Sequence, residues 1–186
     1  MFHARWPEYP EEEVPIAAIT NGVHTLSWIG RRMAELLDRY LGVEWREMPS
    51  DREVWRAASE IPDAELWEVR EDQRGDFVRY CRRRVMDQQT RRAGAMHKLA
   101  ETAAILDPRI LTIGFARRFA TYKRATLLLT DRERLKSLLT HPERPMQFVF
   151  AGKSHPRDEG GKRLIQELVR FIESEGLRTR MVFIED

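Results

Sequence analysis

The most informative part of the chain reads Thr112-Ile113-Gly114-Phe115-Ala116-Arg117-Arg118-Phe119-Ala120-Thr121-Tyr122-Lys123-Arg124. It contains most of an apolar run, 110–115, whose length and composition predict a buried parallel strand. The residues after the arginines resemble the start of an amphipathic helix. A strand, a tight turn and a helix start leave free backbone N–H groups at one point, which favours an anion. Because Arg118 and Lys123 would add positive charge there, the sequence predicts an anion site, and we expect phosphate.

Periodicity alone leaves another interpretation open. Two adjacent arginines after a strand are also typical of solvated surface charge, and Lys123 and Arg124 fit the polar face of a helix. The local pattern therefore defines a candidate site, and the rest of the chain has to supply the context.

The second half of the chain alternates short apolar runs with helical stretches. These segments are, in chain order, 110–115, 122–139, 146–150, 160–175 and 181–184. Such alternation predicts an α/β fold with a parallel sheet and right-handed crossovers. Three strands with two helices make only half of a doubly wound domain. We therefore assign 109–186 to an incomplete Rossmann-like β/α unit, which would leave unpaired sheet edges.

Helices are expected to dominate residues 26–108, after an irregular, proline-containing segment at 1–25. An apolar stripe runs from Met33 to Leu41 and ends at Gly42, and a shorter helix is expected at 51–59. A long helix should begin at Asp63. Its inward-facing residues are predicted to be Leu66, Val69, Phe77, Tyr80, Cys81 and Val85. The arginine-rich opposite face is typical of a solvated helix surface.

Composition narrows the class of protein. The net charge of +2 comes from 32 basic and 30 acidic residues, so charge does not point to nucleic acid. A single cysteine, Cys81, excludes an internal disulfide framework and a cysteine-based metal cluster, and no metal site is predicted. No segment has the length of a membrane span or a secretory signal. We expect a cytoplasmic protein.

Four sequence blocks resemble the α-glucan (glycogen and maltodextrin) phosphorylase family in its short bacterial form. The first is the segment quoted above. The others, in corresponding order, are Val14-Pro15-Ile16 with Ile19-Thr20-Asn21-Gly22-Val23-His24-Thr25, Phe148-Val149-Phe150-Ala151-Gly152-Lys153 with Pro156, and Arg180-Met181-Val182-Phe183-Ile184-Glu185-Asp186. The likeness covers nearly the whole chain.

The resemblance implies an activity and a place in a larger fold. In this family inorganic phosphate attacks the terminal glucose of an α-1,4-glucan and releases glucose 1-phosphate, with the phosphate of pyridoxal phosphate as acid–base partner. The chain would be an internal fragment. Residues 1–25 would be the segment between the lobes, and 26–108 and 109–186 the helical segment and first half-sheet of the second lobe of a GT-B fold.

The resemblance also assigns roles to individual residues. Arg118 and Lys123 match the positions that hold the substrate phosphate, and Arg117 matches a position facing the cofactor phosphate, where the long animal-type enzymes carry lysine. Tyr122 and Asn21 match residues that contact the glucose hydroxyls. Lys153 follows the second strand and either faces the same site or is a salt-bridged surface lysine.

The cofactor-bearing lysine of the family lies in a Gly-Thr-x-Gly-Met-Lys type block, which these 186 residues do not contain. We therefore expect the isolated chain to be inactive, to need the remaining parts of the phosphorylase, and to self-associate through its incomplete sheet. Two other interpretations stay open at this point. One is a fragment of a GT-B nucleotide-sugar glycosyltransferase, and the other is a non-catalytic, truncated interaction module.

Overall fold

A computed structural model describes residues 5–17, 19–93 and 102–185. The chain divides into two compact units, Met1–Ala58 and Ser59–Asp186, which are described separately. None of the described helices is long and apolar enough to cross a membrane.

The first unit is built around one amphipathic helix. A short helix α1, Thr25–Trp28, precedes helix α2, Arg31–Leu41, and two 3-10 turns lie at Glu11–Glu13 and Glu44–Arg46. The predicted apolar stripe of α2 is confirmed at Leu36 and Leu37, which are buried, whereas its outer members Met33, Tyr40 and Leu41 are half-buried. Its predicted end is also confirmed: Gly42 has a φ of 75°, a left-handed conformation that glycine adopts without strain.

A polar clasp holds the chain after helix α2. The carboxylate of Asp38 accepts hydrogen bonds from the indole of the buried Trp45 at 3.0 Å and from two guanidinium nitrogens of Arg46 at 2.9 and 2.8 Å. The hydrogen bond from Arg46 lowers the pKa of the Asp38 carboxyl, which therefore stays ionised. The bidentate pair fixes the turn that follows α2.

A 3-10 helix at Val54–Glu60 contains the boundary between the two units, in the region where the sequence predicted a helix at 51–59. The long helix α3, Asp63–Ala93, follows and confirms the predicted start. Three of its expected core residues are wrong, because Leu66, Phe77 and Tyr80 are 38%, 41% and 46% exposed.

The buried stripe of α3 begins later than expected. It consists of Val78, Cys81, Val85 and Gln88, at spacings of three and four residues, because this part of the helix packs on the sheet. Cys81 is confirmed as a buried, small, apolar residue. Burial raises the pKa of its thiol to about 11, so it remains protonated at neutral pH.

The predicted parallel sheet is confirmed. Strands β1, Leu111–Ala116, β2, Met146–Ala151, and β3, Met181–Ile184, pair in the order β1-β2-β3. Ala116, Ala151 and Ile184 lie in register, so the carboxyl ends of the three strands lie side by side. Residues following these ends are therefore neighbours in space.

Both faces of the sheet are covered at β2 and β3. Neighbouring residues of a strand point to opposite faces, and Val149 and Phe150 accordingly belong to two different core clusters. Helix α3 packs on the first face and contributes Val78, Cys81 and Val85 to the cluster there. The other members of this cluster are Ile105, Leu106, Val149, Val182 and Ile184. Helices α4, Arg132–Leu139, and α5, Glu159–Ser174, contribute to the second, which includes Phe119, Leu135, Leu139, Phe150, Leu168, Phe171 and Met181.

The helix predicted at 122–139 is wrong in its first half. Residues Thr121–Lys123 and Leu127–Thr130 form separate 3-10 turns, and helix α4 starts only at Arg132. Arg124 ends the first turn with a φ of 54°, a left-handed conformation that stops helix propagation. Asp131 caps α4, because its carboxylate accepts a hydrogen bond from the Arg134 N–H at 3.0 Å.

The outer edge of β3 is closed by a side chain of helix α3. The Gln88 amide nitrogen donates to the Phe183 carbonyl at 3.1 Å, and its oxygen accepts from the Glu185 N–H at 2.9 Å. In a parallel sheet, one residue accepts from and donates to two residues of the neighbouring strand in the same way, through its own backbone C=O and N–H. The side-chain amide of Gln88 therefore takes the place of one residue of a fourth strand. The sequence did not indicate this contact, because a glutamine in a highly charged helix is typical of a solvent-facing position.

Replacing Gln88 should therefore destabilise the second unit. We expect Gln88→Met to lower the free energy of unfolding by about 2–4 kcal/mol, because it leaves a buried N–H and a buried carbonyl without partners. Urea unfolding followed by circular dichroism measures the change. Gln166→Met, on an exposed position of α5, is the matched control and should shift stability by less than about 0.5 kcal/mol. Equal stabilities of the two variants would contradict the proposed edge contact.

Candidate anion-binding site

A cleft of about 360 Å³ opens where the three strands end. Its lining comes from four places: the chain after β1, the chain after β2, the end of β3, and helix α3. The lining residues are Tyr80, Arg84, Ala116, Arg117, Arg118, Ala151, Gly152, Lys153, Ile184 and Glu185. Ligands of open parallel sheets bind outside the carboxyl ends of the strands, so the cleft lies where such a fold binds them.

The chain reverses into the cleft at the end of β1. Arg117 and Arg118 are exposed, whereas the next residue, Phe119, is fully buried in the core. Edge contacts between the rings of Phe119 and Phe115 at 5.7 Å, and of Phe119 and Phe183 at 5.5 Å, hold this buried side chain. Because the ring of Phe119 is held in the core, the two arginines that precede it remain at the surface and line the cleft.

The loops after β1 and β2 lie back to back. The Phe119 N–H donates to the Lys153 carbonyl at 3.0 Å. Gly152 has a φ of 137°, and a Cβ atom at this position would collide with the Arg117 carbonyl. Glycine is therefore required for the close approach that brings Arg117 and Lys153 to one cleft.

The N-terminus of helix α5 braces the same loop. The Asp158 carboxylate accepts a hydrogen bond from the Gly161 N–H at 2.8 Å and caps the helix. A side chain at Gly161 would collide with the Phe119 carbonyl, so the first turn of α5 packs directly on the backbone after the arginines. Three backbone segments thus fix the position of the turn.

Tyr122 and Lys123 lie beyond this turn, in the 3-10 segment Thr121–Lys123. The Lys123 ammonium is 4.6 Å from the centroid of the Tyr122 ring, a cation–π contact, and the ring itself is 72% exposed. Neither side chain lines the cleft that contains Arg117 and Arg118. Because no α-helix starts here, the expected contribution of a helix dipole at Tyr122 is absent from this part of the described chain.

Asn21 belongs to the first compact unit. It lies in an extended, exposed segment that precedes helix α1. His24, in the same segment, places its Nδ1 2.8 Å from the Ser27 hydroxyl oxygen, a local contact at the start of that helix.

Helix α3 forms the remaining wall of the cleft and carries residues that sequence reasoning missed. Tyr80 and Arg84, one turn apart, both line the cleft. The Arg84 guanidinium donates to the Glu185 carbonyl at 2.8 Å, at the end of β3. The arginine run 82–84 was predicted to be a solvated face. However, Arg82 also binds backbone, donating to the carbonyls of Ile105 and Leu106 at 2.7 and 2.6 Å.

The cleft is electropositive. Four of its lining side chains are basic, Arg84, Arg117, Arg118 and Lys153, against one carboxylate, Glu185. Like charges in one cleft repel each other, and a bound anion would offset that repulsion. Within residues 5–17, 19–93 and 102–185, no group of three or more His, Cys, Asp or Glu side chains is arranged to hold a metal ion.

Fold and cleft define an α/β protein with a basic cleft at the carboxyl ends of its parallel strands. No protein-family model matches the chain. Comparison with curated proteins finds a maltodextrin phosphorylase from Thermococcus litoralis, 39% identical over 186 residues, and a glycogen phosphorylase from Mycobacterium tuberculosis, 39% identical over 184 residues. A glycogen phosphorylase from Aquifex aeolicus is 36% identical over 178 residues.

These matches cover 100%, 99% and 96% of this chain but only 22%, 21% and 26% of the respective relatives. The resemblance seen in the sequence is confirmed: the chain is homologous along its length to a segment of the α-glucan phosphorylases. It spans about a fifth of the length of the first two of these relatives.

The close approach of the two loops can be tested at Gly152. We expect Gly152→Ala to lower the free energy of unfolding by about 2–4 kcal/mol, because alanine is strained at this φ and its Cβ would displace the Arg117 carbonyl. Gly114→Ala, in β1, is the control, since no atom lies within 4 Å of its Cβ position. Chemical denaturation of both variants measures the difference. A Gly152 variant as stable as the Gly114 variant would show that the loops do not pack in this way.

Proposed function

We propose that this chain is part of an α-1,4-glucan phosphorylase, a cytoplasmic glycosyltransferase that transfers a terminal glucosyl unit to inorganic phosphate and yields glucose 1-phosphate. The observation that carries the proposal is the basic cleft at the strand ends, in a chain whose relatives are named glycogen and maltodextrin phosphorylases. The names of these relatives favour phosphorolysis over nucleotide-sugar transfer and over a purely structural role.

The proposed organisation follows the GT-B arrangement. Residues 1–25 connect the two lobes, 26–108 form a helical segment of the second lobe, and 109–186 form the first part of its Rossmann-like sheet. The parallel order β1-β2-β3 supports this assignment for the sheet. The remaining parts of the phosphorylase would complete the sheet and the opposite wall of the cleft.

Within this proposal, Arg118 binds the substrate phosphate. Its guanidinium offers a planar pair of N–H donors that suits two phosphate oxygens. Lys123 supplies a compact second charge, and its ammonium leaves the ring of Tyr122 to do so. Asn21 and Tyr122 bind the hydroxyl groups of the glucan. Both residues are exposed, as residues that bind a glucan have to be.

The residues around Gly152 fit the phosphate group of pyridoxal phosphate. The cationic side chains of Arg117 and Lys153 line one cleft, and Gly152 allows this because its lack of a side chain lets the second loop lie against the Arg117 backbone. Arg117 would hold the cofactor phosphate there. When bound, the cofactor would supply a phosphate group that exchanges a proton with the substrate phosphate. The role of this chain is to hold two phosphates close together against their mutual repulsion.

The isolated chain is proposed to be inactive and to self-associate. Its sequence contains no Gly-Thr-x-Gly-Met-Lys type block for the cofactor. Within the described residues, β1 pairs only with β2, and its Leu111 and Ile113 are 57% and 38% exposed. An unpaired strand edge with exposed apolar residues favours association with other protein, which in the complete enzyme would be the rest of the chain.

The phosphate assignment is tested in the full-length enzyme that contains this segment. Arg118→Ala and Lys123→Ala should each lower the rate of phosphorolysis of a maltodextrin about 10²–10³-fold, because each removes a positive charge that stabilises the transition state. Arg170→Ala, which removes an exposed arginine from helix α5, should leave the rate unchanged. Release of glucose 1-phosphate measures the rate. Rates within threefold of the unmodified enzyme for both site variants would refute the assignment.

A further inference from the structure

Arg84 is the basic residue of the cleft that neither the sequence motifs nor the proposed roles include. It lies in the middle of helix α3, far along the chain from the loops that follow the strands. One of its Nη atoms donates to the Glu185 carbonyl at 2.8 Å. Its Nε atom is buried and has no hydrogen-bond partner among the described residues. The guanidinium is therefore anchored at the cleft wall while part of its hydrogen-bonding capacity is unused.

Arg84 is one of four basic side chains that line the cleft, and each approaches it from a stated element of the fold. Arg117 and Arg118 approach the cleft from the end of β1, and Lys153 approaches from the end of β2. At the end of β3 lies the acidic residue Glu185. Arg84 reaches this third side from helix α3 and binds the backbone of Glu185 itself.

A partly buried guanidinium beside three other cations is unfavourable without a counter-charge. Desolvation weakens the hydration of each charge, and like charges in a cleft of this size repel one another. The backbone carbonyl of Glu185 offsets only part of this cost, and Glu185 brings a single carboxylate. An anion in the cleft removes the imbalance.

We propose that Arg84 is a further anion-binding residue of the cleft, and that the group it recognises is a phosphate, either free or as a phosphate monoester. This inference rests on the proposed function, because it assumes that the cleft holds phosphate. Arg84 has two tasks: it ties the end of β3 to helix α3, and it adds positive charge to the side of the cleft next to β3.

The test is a titration of the chain with inorganic phosphate, by isothermal calorimetry at low ionic strength. We expect Arg84→Gln to weaken phosphate binding about tenfold, the effect of one lost charge-assisted hydrogen bond. Arg83→Gln is the matched control, because it removes the same charge from the neighbouring, exposed position of the same helix. The control should change the dissociation constant less than twofold.

A structural role alone would not alter the salt dependence of binding. With Arg84→Gln we expect the slope of the logarithm of the binding constant against the logarithm of the chloride concentration to become shallower, since fewer cations contact the anion. Arg84→Lys, which keeps the charge, should retain the slope of the unmodified chain. A second titration with pyridoxine 5′-phosphate, and with pyridoxine as the unphosphorylated control, identifies the source of the phosphate. Weaker binding of either phosphate supports the inference.

A measurement on the unmodified chain covers the case in which Arg84→Gln does not fold. Phenylglyoxal modifies accessible guanidinium groups, and peptide mass spectrometry locates the modified residues. Phosphate should protect Arg84 and Arg118 but not Arg83. Wild-type affinity in folded Arg84→Gln, or no protection of Arg84 while Arg118 is protected, would overturn the role of Arg84 alone. If the folded, unmodified chain bound neither phosphate nor pyridoxine 5′-phosphate, the phosphate site itself would fall as well.

Discussion

The close contact between the loops after β1 and β2 is the constraint on which the cleft depends. The Phe119 N–H binds the Lys153 carbonyl, and Gly152 lets the backbone of the second loop lie against the Arg117 carbonyl. The parallel register already brings the two strand ends together, but register alone does not determine where the following side chains lie. The buried ring of Phe119 and the capped start of α5 fix the turn, so that adjacent arginines face the cleft.

Positive charges that lie close together repel one another, and the rest of the fold has to offset this free-energy cost. Strands β2 and β3 contribute apolar residues to both faces of the sheet, and the two hydrophobic clusters hold the strands in place. The cations can therefore be held near one another without an internal carboxylate for each. Such preorganisation is what a phosphate site requires, since donors that are already in position do not have to reorganise when the anion binds.

The sequence predicted the parts of this structure that follow from periodicity. Alternation of apolar runs and helices identified the three strands and α5, and the placement of arginines directly after β1 located the cleft. The helix predicted at 122–139 was wrong in its first half because amphipathic spacing does not reveal the left-handed conformation of Arg124.

Side chains that bind backbone were the contacts that sequence reasoning missed. Arg82, Arg83 and Arg84 are equivalent in a composition or charge plot, yet helix geometry turns successive residues by about 100°. Arg82 and Arg84 consequently reach carbonyl groups on the sheet side, whereas Arg83 is exposed. Gln88 continues the same face and binds both Phe183 and Glu185. The contacts of Arg84 and Gln88 close the sheet at β3, whereas β1 keeps an edge that pairs with no strand other than β2 among the described residues. Helix α3 therefore has two roles: it forms one wall of the cleft, and its side chains bind the outer edge of β3, so that β1 is the edge of the described sheet that stays open to further pairing.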